Sequence, residues 1–479
     1  MSDPAASKPN ILFLLTDQQR PDWTGMNPDV PVRTPNLERL ANRGTWFTEA
    51  ICPSPVCNPC RASLASGMEY DRCGVPGNDV DYPLDRPTYY QRLRDDAGYH
   101  VMGCGKFDLA SQFPLDLTGD SGLERWGYSA GVFNAAKNNT ILRVLADPEH
   151  EPQDPYTAYL AEEGHLETHL EDYRRRSSFG DAAPSEDPDW TATFPTPLPQ
   201  DAYYDEWITG NAEHLLGNAP EDEPWFLEVN FQNPHHPWDV TEEMYEWYRD
   251  PPVAFPSPVE SNLDVSSAVH QEVRRNYAAM VEHIDRCVGR LLDRLSARGE
   301  RENTIVVFAS DHGEMLGDHG LWQKLAPHQP SIGVPLVVAG PKVPAQRVVD
   351  DPVTILDLHA TFLDYAGLEA SHVDSRSMRE CFRGGTPPRD VVYTGLASWR
   401  LVYDGQYKLI EGYEPEHRHG ASYPPMSVPP AVALRRQAER APILFEVANS
   451  ESRDIAAKEE KRVADLHEEL VAIRDAPVG

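Results

Sequence analysis

The sequence predicts an α/β protein with a large mixed, mostly parallel sheet, helices on both faces, and a small C-terminal α+β subdomain. Three observations carry this reading. Short apolar runs recur, at 11–15, 226–231 and 304–309, and each breaks into a polar stop: Asp17-Gln18, Pro234-His235-His236 and Asp311-His312. Runs so short and unbroken suit strands buried on both faces, the pattern of a parallel sheet. Amphipathic helical stretches lie between them, and after Gly367 the pattern changes to short alternating runs joined by tight turns.

In chain order, "NILFLLTDQQRPD" supplies the first strand, "PWFLEVNFQNPHHPW" the second and "NTIVVFASDHGE" the third, with "GVPLVVAGP" a fourth of the same plan. The clearest helix covers 271–298, where Val273, Tyr277, Met280, Ile284, Val288, Leu291 and Leu295 recur at three- and four-residue steps and Gly299 follows as a stop. Residues 138–200 are polar, acidic and Pro-rich, and read as an inserted covering loop. The domain expectation is therefore 1–367, carrying that insertion, and 368–479. In the second part "DVVYTG", "WRLVYDGQYKLIEGY" and "PILFEVANS" are antiparallel strands, with a hairpin at Asp404-Gly405 and a closing helix. The stretch 411–440 reads mainly as a Pro-rich loop.

Composition narrows the function classes. Lys and Arg total 43 against 76 Asp and Glu, a net charge of −33 over 479 residues, which disfavours nucleic acid and anionic membranes as partners. No apolar run approaches the ~20 residues of a membrane span. The N-terminus lacks the pattern of a secretion signal, so a cytoplasmic location is expected. Seven cysteines, an odd number, argue against a disulfide framework.

The chemistry concentrates at strand ends, where ligands collect in such folds. In "SPVCNPCRASLASG", Pro59 suits a first helical turn and Gly67 a cap, which puts Cys57 at a helix N-terminus that favours an anion. That placement serves a redox C-x-x-C, a reactive thiol or an oxyanion equally. A zinc finger is disfavoured, because no second ligand pair stands at the required spacing. Asp17 and Asp311, brought together, repel unless a cation lies between them, and with Gln18 they suit a hard ion such as Ca2+ or Mg2+. His312 adds a nitrogen better matched to Mn2+ or Zn2+. Arg61, Lys106, His235 and Lys324 complete a cationic set suited to a tetrahedral oxyanion ester.

The block C-x-P-x-R with A-S-L-x-S-G, followed in order by "AGYHVMGCGKF", "NPHHPW", "TIVVFASDHGEMLGDHGLWQK" and "SIGVPLVVAGP", resembles the type I sulfatases of the alkaline-phosphatase-like superfamily. The Asp-Gln and Asp-His pairs resemble the branch holding choline sulfatases and phosphonate monoester hydrolases. The resemblance implies that Cys57 is converted to formylglycine by a formylglycine-generating enzyme, and that one hydroxyl of its hydrate attacks sulfur while the other later expels sulfate. It implies that Asp17, Gln18, Asp311 and His312 hold one divalent metal with residue 57, Ca2+ favoured and Mg2+ or Mn2+ the alternatives. Arg61 would orient the diol, and Lys106, His235 and Lys324 would grip the sulfate or assist the leaving group. Asn78 would lie near the anion. Asp108 stands where many relatives carry His, and Cys60 where they carry Ser, Ala or Gly.

The expected activity is hydrolysis of a sulfate monoester of a small molecule or carbohydrate. The alternative is a phosphonate monoester or phosphodiester hydrolase with the same nucleophile. A non-catalytic oxyanion binder or a thiol-redox protein is the reading from another class. Oligomeric state is left open, a homo-oligomer included.

Overall fold

The computed structural model describes residues 8–83, 85–109, 117, 122–147, 149–178, 189–260, 265–413 and 440–476. Ten strands belong to its larger part: β1 (Asn10–Asp17), β2 (Gly44–Phe47), β3 (Ala50–Ile51), β4 (His100–Lys106), β5 (Ala130–Asn134), β6 (Trp225–Pro234), β7 (Thr304–Ser310), β8 (Leu336–Ala339), β9 (Arg347–Val349) and β10 (Val353–Thr354). Eight of them form one sheet in the order β5-β4-β6-β1-β7-β8-β2-β9, and β3 pairs with β10.

From β5 to β7 all neighbours run parallel. Every residue of β1, β6 and β7 is buried, as unbroken apolar runs require. The fourth strand expected from the sequence exists as β8, but it runs antiparallel to β7 and to β2. The physical reason is the connection. Residues 311–335 stay at the end of the sheet where β7 finishes, tied by Gly313 N–H to the Ser331 carbonyl at 2.8 Å, so the chain re-enters from that edge. A parallel strand would have needed a crossover along the sheet.

β1 shows how the two faces are filled. Ile11, Phe13 and Leu15 point into one cluster with Cys60, Ala62, Leu64 and Ala65 of the helix Cys57–Ser66. Leu12 and Leu14 point into the other, with Ile284, Val288, Leu291 and Leu295 of the helix Ser267–Ala297. That helix starts four residues before the sequence expectation, because the Ser266 side chain accepts from Val269 N–H at 3.3 Å and caps it. Gly299 follows it at φ 73°.

The insertion is largely helical where it is described: Lys137–Ala146, Pro155–Glu162 and Leu166–Ser177. Ile141, Val144, Leu170 and Tyr173 make a small core of their own, which its polar composition obscured. Asp154 caps the second helix, and Tyr156 and Leu160 dock it on the main core.

In the C-terminal part β11 (Val392–Leu396), β12 (Trp399–Tyr403), β13 (Tyr407–Glu411) and β14 (Ile443–Glu446) form an antiparallel sheet in that order. Gly405, at φ 93°, makes the expected hairpin turn possible. One face packs on Leu466 and Leu470 of the helix Glu460–Arg474. The other, through Val392, Leu401, Tyr403 and Ile410, joins the main core. Most of the Pro-rich loop expected at 411–440 lies outside the described residues. Among the described residues no helix is long and apolar enough to cross a membrane.

Two predictions follow from this packing. Gly105 has φ 95°, and a Cβ there would lie 2.1 Å from the Asn230 carbonyl oxygen on β6. Gly105→Ala is expected to destabilise the protein by roughly 3 kcal/mol; a urea midpoint equal to wild type would refute the close approach. His359, buried behind the Cys57 helix, donates Nδ1–H to the Leu64 carbonyl at 3.1 Å, and burial pushes its imidazole down to about 4. A depressed imidazole confers stability that is complete above the unfolded value near 6.5 and is lost as pH falls toward 4. Between about pH 7.5 and pH 5 this group should cost roughly 2 kcal/mol, and His359→Gln should flatten that part of a pH–stability profile.

Candidate active site

Because β4, β6, β1 and β7 are parallel neighbours, their carboxyl ends lie side by side along one edge. Lys106 ends β4, Pro234 ends β6 with His235 after it, Asp17 ends β1, and Asp311-His312 follows β7. The register seals the pair at the centre: Thr16 stands opposite Ser310, and Asp311 N–H donates to the Thr16 carbonyl at 3.1 Å.

Cys57 is delivered from the side by the helix Cys57–Ser66, all of which is buried. Its N-terminal residue Val56 has no capping side chain, and Asn78 serves instead: Asn78 Oδ1 accepts from Asn58 N–H at 3.0 Å. Asn78 is thus at the start of that helix, and its side-chain oxygen is already engaged there. Cys57 Sγ lies 3.2 Å from His312 Nε2, 3.5 Å from Lys324 Nζ, 3.6 Å from Lys106 Nζ and 3.8 Å from Asp17 Oδ1. Burial, with Asp17 beside it, pushes this thiol up to about 12. Burial and Asp17 thus disfavour the thiolate of the unmodified residue, while Lys106 and Lys324 pull the other way.

Arg61 stitches three strands together. Its Nε donates to Asp311 Oδ2 at 2.9 Å, and its Nη1 donates to the Lys106 carbonyl at 2.6 Å and to Asn230 Oδ1 at 2.8 Å. Lys106 Nζ reaches the Asp17 carboxylate and lies 3.0 Å from Asp108. Burial alone would raise the Asp17 carboxyl, but the Lys106 ammonium above all, with Lys324, holds it well below the usual range. Lys324 Nζ donates to Gln18 Oε1 at 2.7 Å and meets His235 Nε2 at 2.7 Å. His235 is half-buried and kept neutral by desolvation and by that lysine, which fits a ring nitrogen accepting from an ammonium.

All ten residues singled out in the sequence thus lie at this strand edge or at the helix start that faces it. Two contributors were missed. Asn230, inside β6, was hidden in an apolar run, though an Asn buried in a strand centre is itself a signal. Glu314 is fully buried and was masked by its neighbours in "SDHGE". Cys60, flagged only as a departure, donates its thiol to the Asp311 carbonyl at 2.9 Å.

Oxygens of Asp17 and Asp311, His312 Nε2 and Cys57 Sγ all lie within 4.8 Å of one another. His312 Nδ1 faces the Gly313 carbonyl at 3.0 Å, which makes Nδ1 the protonated nitrogen and leaves Nε2 a lone pair toward the site. Burial lowers this imidazole to about 4, so it stays neutral and able to ligate. Two fully buried carboxylates, an imidazole lone pair and the Gln18 carboxamide nearby are a donor set that fits a divalent cation. Two other groups of three ligating residues, Glu206-His283-Cys287 and His319-His328-Glu451, have their carboxylates taken by Arg290 and Lys408.

The family model described as Sulfatase matches residues 9–368. The arylsulfatase of Clostridium perfringens is 25% identical over 426 residues, covering 84% of this chain and 82% of its own. The choline-sulfatase of Rhizobium meliloti is 28% identical over 445 residues, covering 84% and 78%. A solved phosphonate monoester hydrolase of Agrobacterium radiobacter shares the fold, with a TM-score of 0.75 over 98% of this chain and 95% of that one at 21% identity.

The donor set predicts a metal response. Chelation should lower the melting temperature, and Ca2+, Mg2+ or Mn2+ at about a hundredfold over Kd should restore about 2.7 kcal/mol. Asp311→Ala should abolish that response in differential scanning calorimetry. Indifference of the wild type to all three ions would refute the assignment.

Proposed function

The chain belongs to the sulfatase family, and on that premise we propose how its site acts. The protein is a sulfuric ester hydrolase. The observation that carries the mechanism is the ring of groups within 4 Å of Cys57 Sγ: two lysine ammoniums, a neutral imidazole and a carboxylate.

Residue 57, as formylglycine, supplies the oxygen nucleophile in its hydrated form. Asp17, Gln18, Asp311 and His312 would hold a divalent metal, Ca2+ in preference to Mg2+ or Mn2+, which when bound would supply positive charge against the anionic ester and lower the pKa of the hydroxyl on residue 57. Arg61 fixes Asp311 and, at 3.7 Å, faces Asp17, so it sets the spacing of the two carboxylates. Lys106 and Lys324 flank residue 57 and take the sulfate oxygens between them. Asn78 holds the helix start against the anion.

The Lys324–His235 pair faces the leaving group. His235 is neutral, so its Nε2 accepts from Lys324 Nζ and orients the lysine toward the leaving group. Asp17, Gln18, Asp311 and His312 are fully buried, and a site without bulk water strengthens each of these charge interactions.

The substrate class we propose is a sulfate ester of a small molecule or carbohydrate. The names of choline-sulfatase and N-acetylglucosamine-6-O-sulfatase among the relatives support that range. A formylglycine-generating enzyme is the maturation partner. Residues 1–367 are proposed as the catalytic domain and 368–479 as a subdomain, a division supported by the family match ending at 368. Free, buried cysteines at all seven positions support a reducing, cytoplasmic setting.

The test combines mass and rate. After co-expression with the modifying enzyme, peptide mass and fragmentation should show that residue 57 has lost its sulfur while Cys60 keeps its own, and Cys57→Ala should lose at least about a thousandfold in kcat. Kinetics on an aryl sulfate, a sugar sulfate and a phosphonate monoester should rank a sulfate first. Retained sulfur at 57 in an active enzyme would sink the formylglycine assignment, and a higher kcat/KM on the phosphonate would favour the alternative activity.

A further inference from the structure

Glu314 is fully buried, lies two residues after the metal-side His312, and has no role in the chemistry above. Its two oxygens are used differently. Oε2 accepts from Gln18 Nε2, while Oε1 accepts from Leu316 N–H at 3.0 Å and Gln323 N–H at 2.5 Å. We propose that Glu314 is a positioning residue that dictates which end of the Gln18 carboxamide faces the site and closes the loop that delivers Lys324. The proposal rests on the sulfatase reading and deepens it.

A carboxamide is nearly symmetric in shape and opposite in role at its two ends, since the nitrogen only donates and the oxygen only accepts. The rest of Gln18 is already immobile. Its φ is 68°, its N–H donates to Asp311 Oδ1 at 3.1 Å, and its carbonyl accepts from Tyr277 Oη at 2.8 Å. The remaining freedom is the flip of the amide. A carboxylate at Oε2 can only accept, so the NH2 end turns to Glu314 and Oε1 turns to Lys324 Nζ, 2.7 Å away. That ammonium in turn lies 3.5 Å from Cys57 Sγ. One buried acceptor thus presents an oxygen, rather than an NH2 group, on the side of the metal ligands.

The loop it closes needs the tie. Leu316, His319, Gln323 and Leu325 all have positive φ, from 47° to 81°, conformations that side-chain-bearing residues rarely adopt. Oε1 of Glu314 joins the start of this loop to its end one residue before Lys324. The Met315 N–H to Gln323 carbonyl bond at 2.6 Å lies alongside.

The experiment is a compensation cycle on the full chain. In Glu314→Gln, the two backbone donors claim the new carbonyl oxygen, so the new NH2 faces Gln18 and forces its amide to flip against the Lys324 ammonium. Calorimetric affinity for Mn2+ should fall about tenfold or more, the usual scale for groups supporting a metal ligand. Adding Gln18→Glu places an acceptor at both ends of residue 18 and should restore most of that loss. Gln18→Glu alone, facing Glu314, should bind Mn2+ more weakly than the double variant. Wild-type affinity in Glu314→Gln, or a double variant no better than its parents, would overturn the proposal. If Glu314→Gln does not fold, the double variant against Gln18→Glu decides alone. A crystal structure separates this idea from the sulfatase reading: Lys324 Nζ should leave hydrogen-bond reach of residue 18 in Glu314→Gln whatever the enzyme hydrolyses. Retention of that 2.7 Å contact would refute the positioning role by itself.

Discussion

Two carboxylates without solvent exposure, Asp17 and Asp311, are set at the ends of adjacent parallel strands, and the surrounding structure exists to tolerate them. Desolvating an ion costs several kcal/mol, and removing one partner of a buried pair costs about 3–5 kcal/mol. The fold answers with cations that are themselves buried. Arg61 lies against both aspartates, Lys106 against Asp17, and Lys324 against the Gln18 carboxamide. Asp108 and Glu314 add further carboxylates, so Arg61, Lys106 and Lys324 lie among four acidic side chains. The divalent cation proposed above would offset that excess of acids and leave the site suited to an anionic ester.

The rest of the architecture is arranged to hold this charge in register. β1 lies in the middle of the parallel run, and its alternating side chains anchor the Cys57 helix on one face and the long helix Ser267–Ala297 on the other. The long helix contributes more than packing, because its Tyr277 accepts from Arg20 N–H and donates to the Gln18 carbonyl just beyond the strand end. Gly103 and Gly105 weaken β4 as a strand and let it press against Tyr128 and the Asn230 backbone, which brings Lys106 to the edge. Strain concentrates in the loop after β7, where several positive-φ residues are fastened by Glu314 and by the Asp318 pairs with Arg20 and Arg274. Such strain is retained where the surroundings over-determine it.

The residues gathered at the candidate site were legible because most of them end an apolar run or begin a helix. Asp17, His235, Asp311 and His312 follow strands, and Cys57 precedes a Pro-marked helix that Gly67 ends at φ 72°. Asn230 and Glu314 were not legible, since their importance lies in partners 169 and 296 residues away. The helical insertion was misread because polar, acidic sequence can still form helices when a few residues such as Ile141 and Tyr173 find one another. The long helix began earlier than its apolar stripe, because a serine cap extends a helix beyond its buried face.

By itself the sequence determined the alternation of buried strands and helices, the acidic surface, and the identity of the groups at the strand ends. Those are local properties, set by periodicity, composition and the residue types that stop a strand or start a helix. Tertiary structure alone decided the strand order β4-β6-β1-β7, the antiparallel return of β8, the neutral imidazole of His312 and the direction in which the Gln18 amide points. Each of these depends on which distant groups share a buried volume, and hydrogen bonds and charges there are settled by partners that the local chain does not contain.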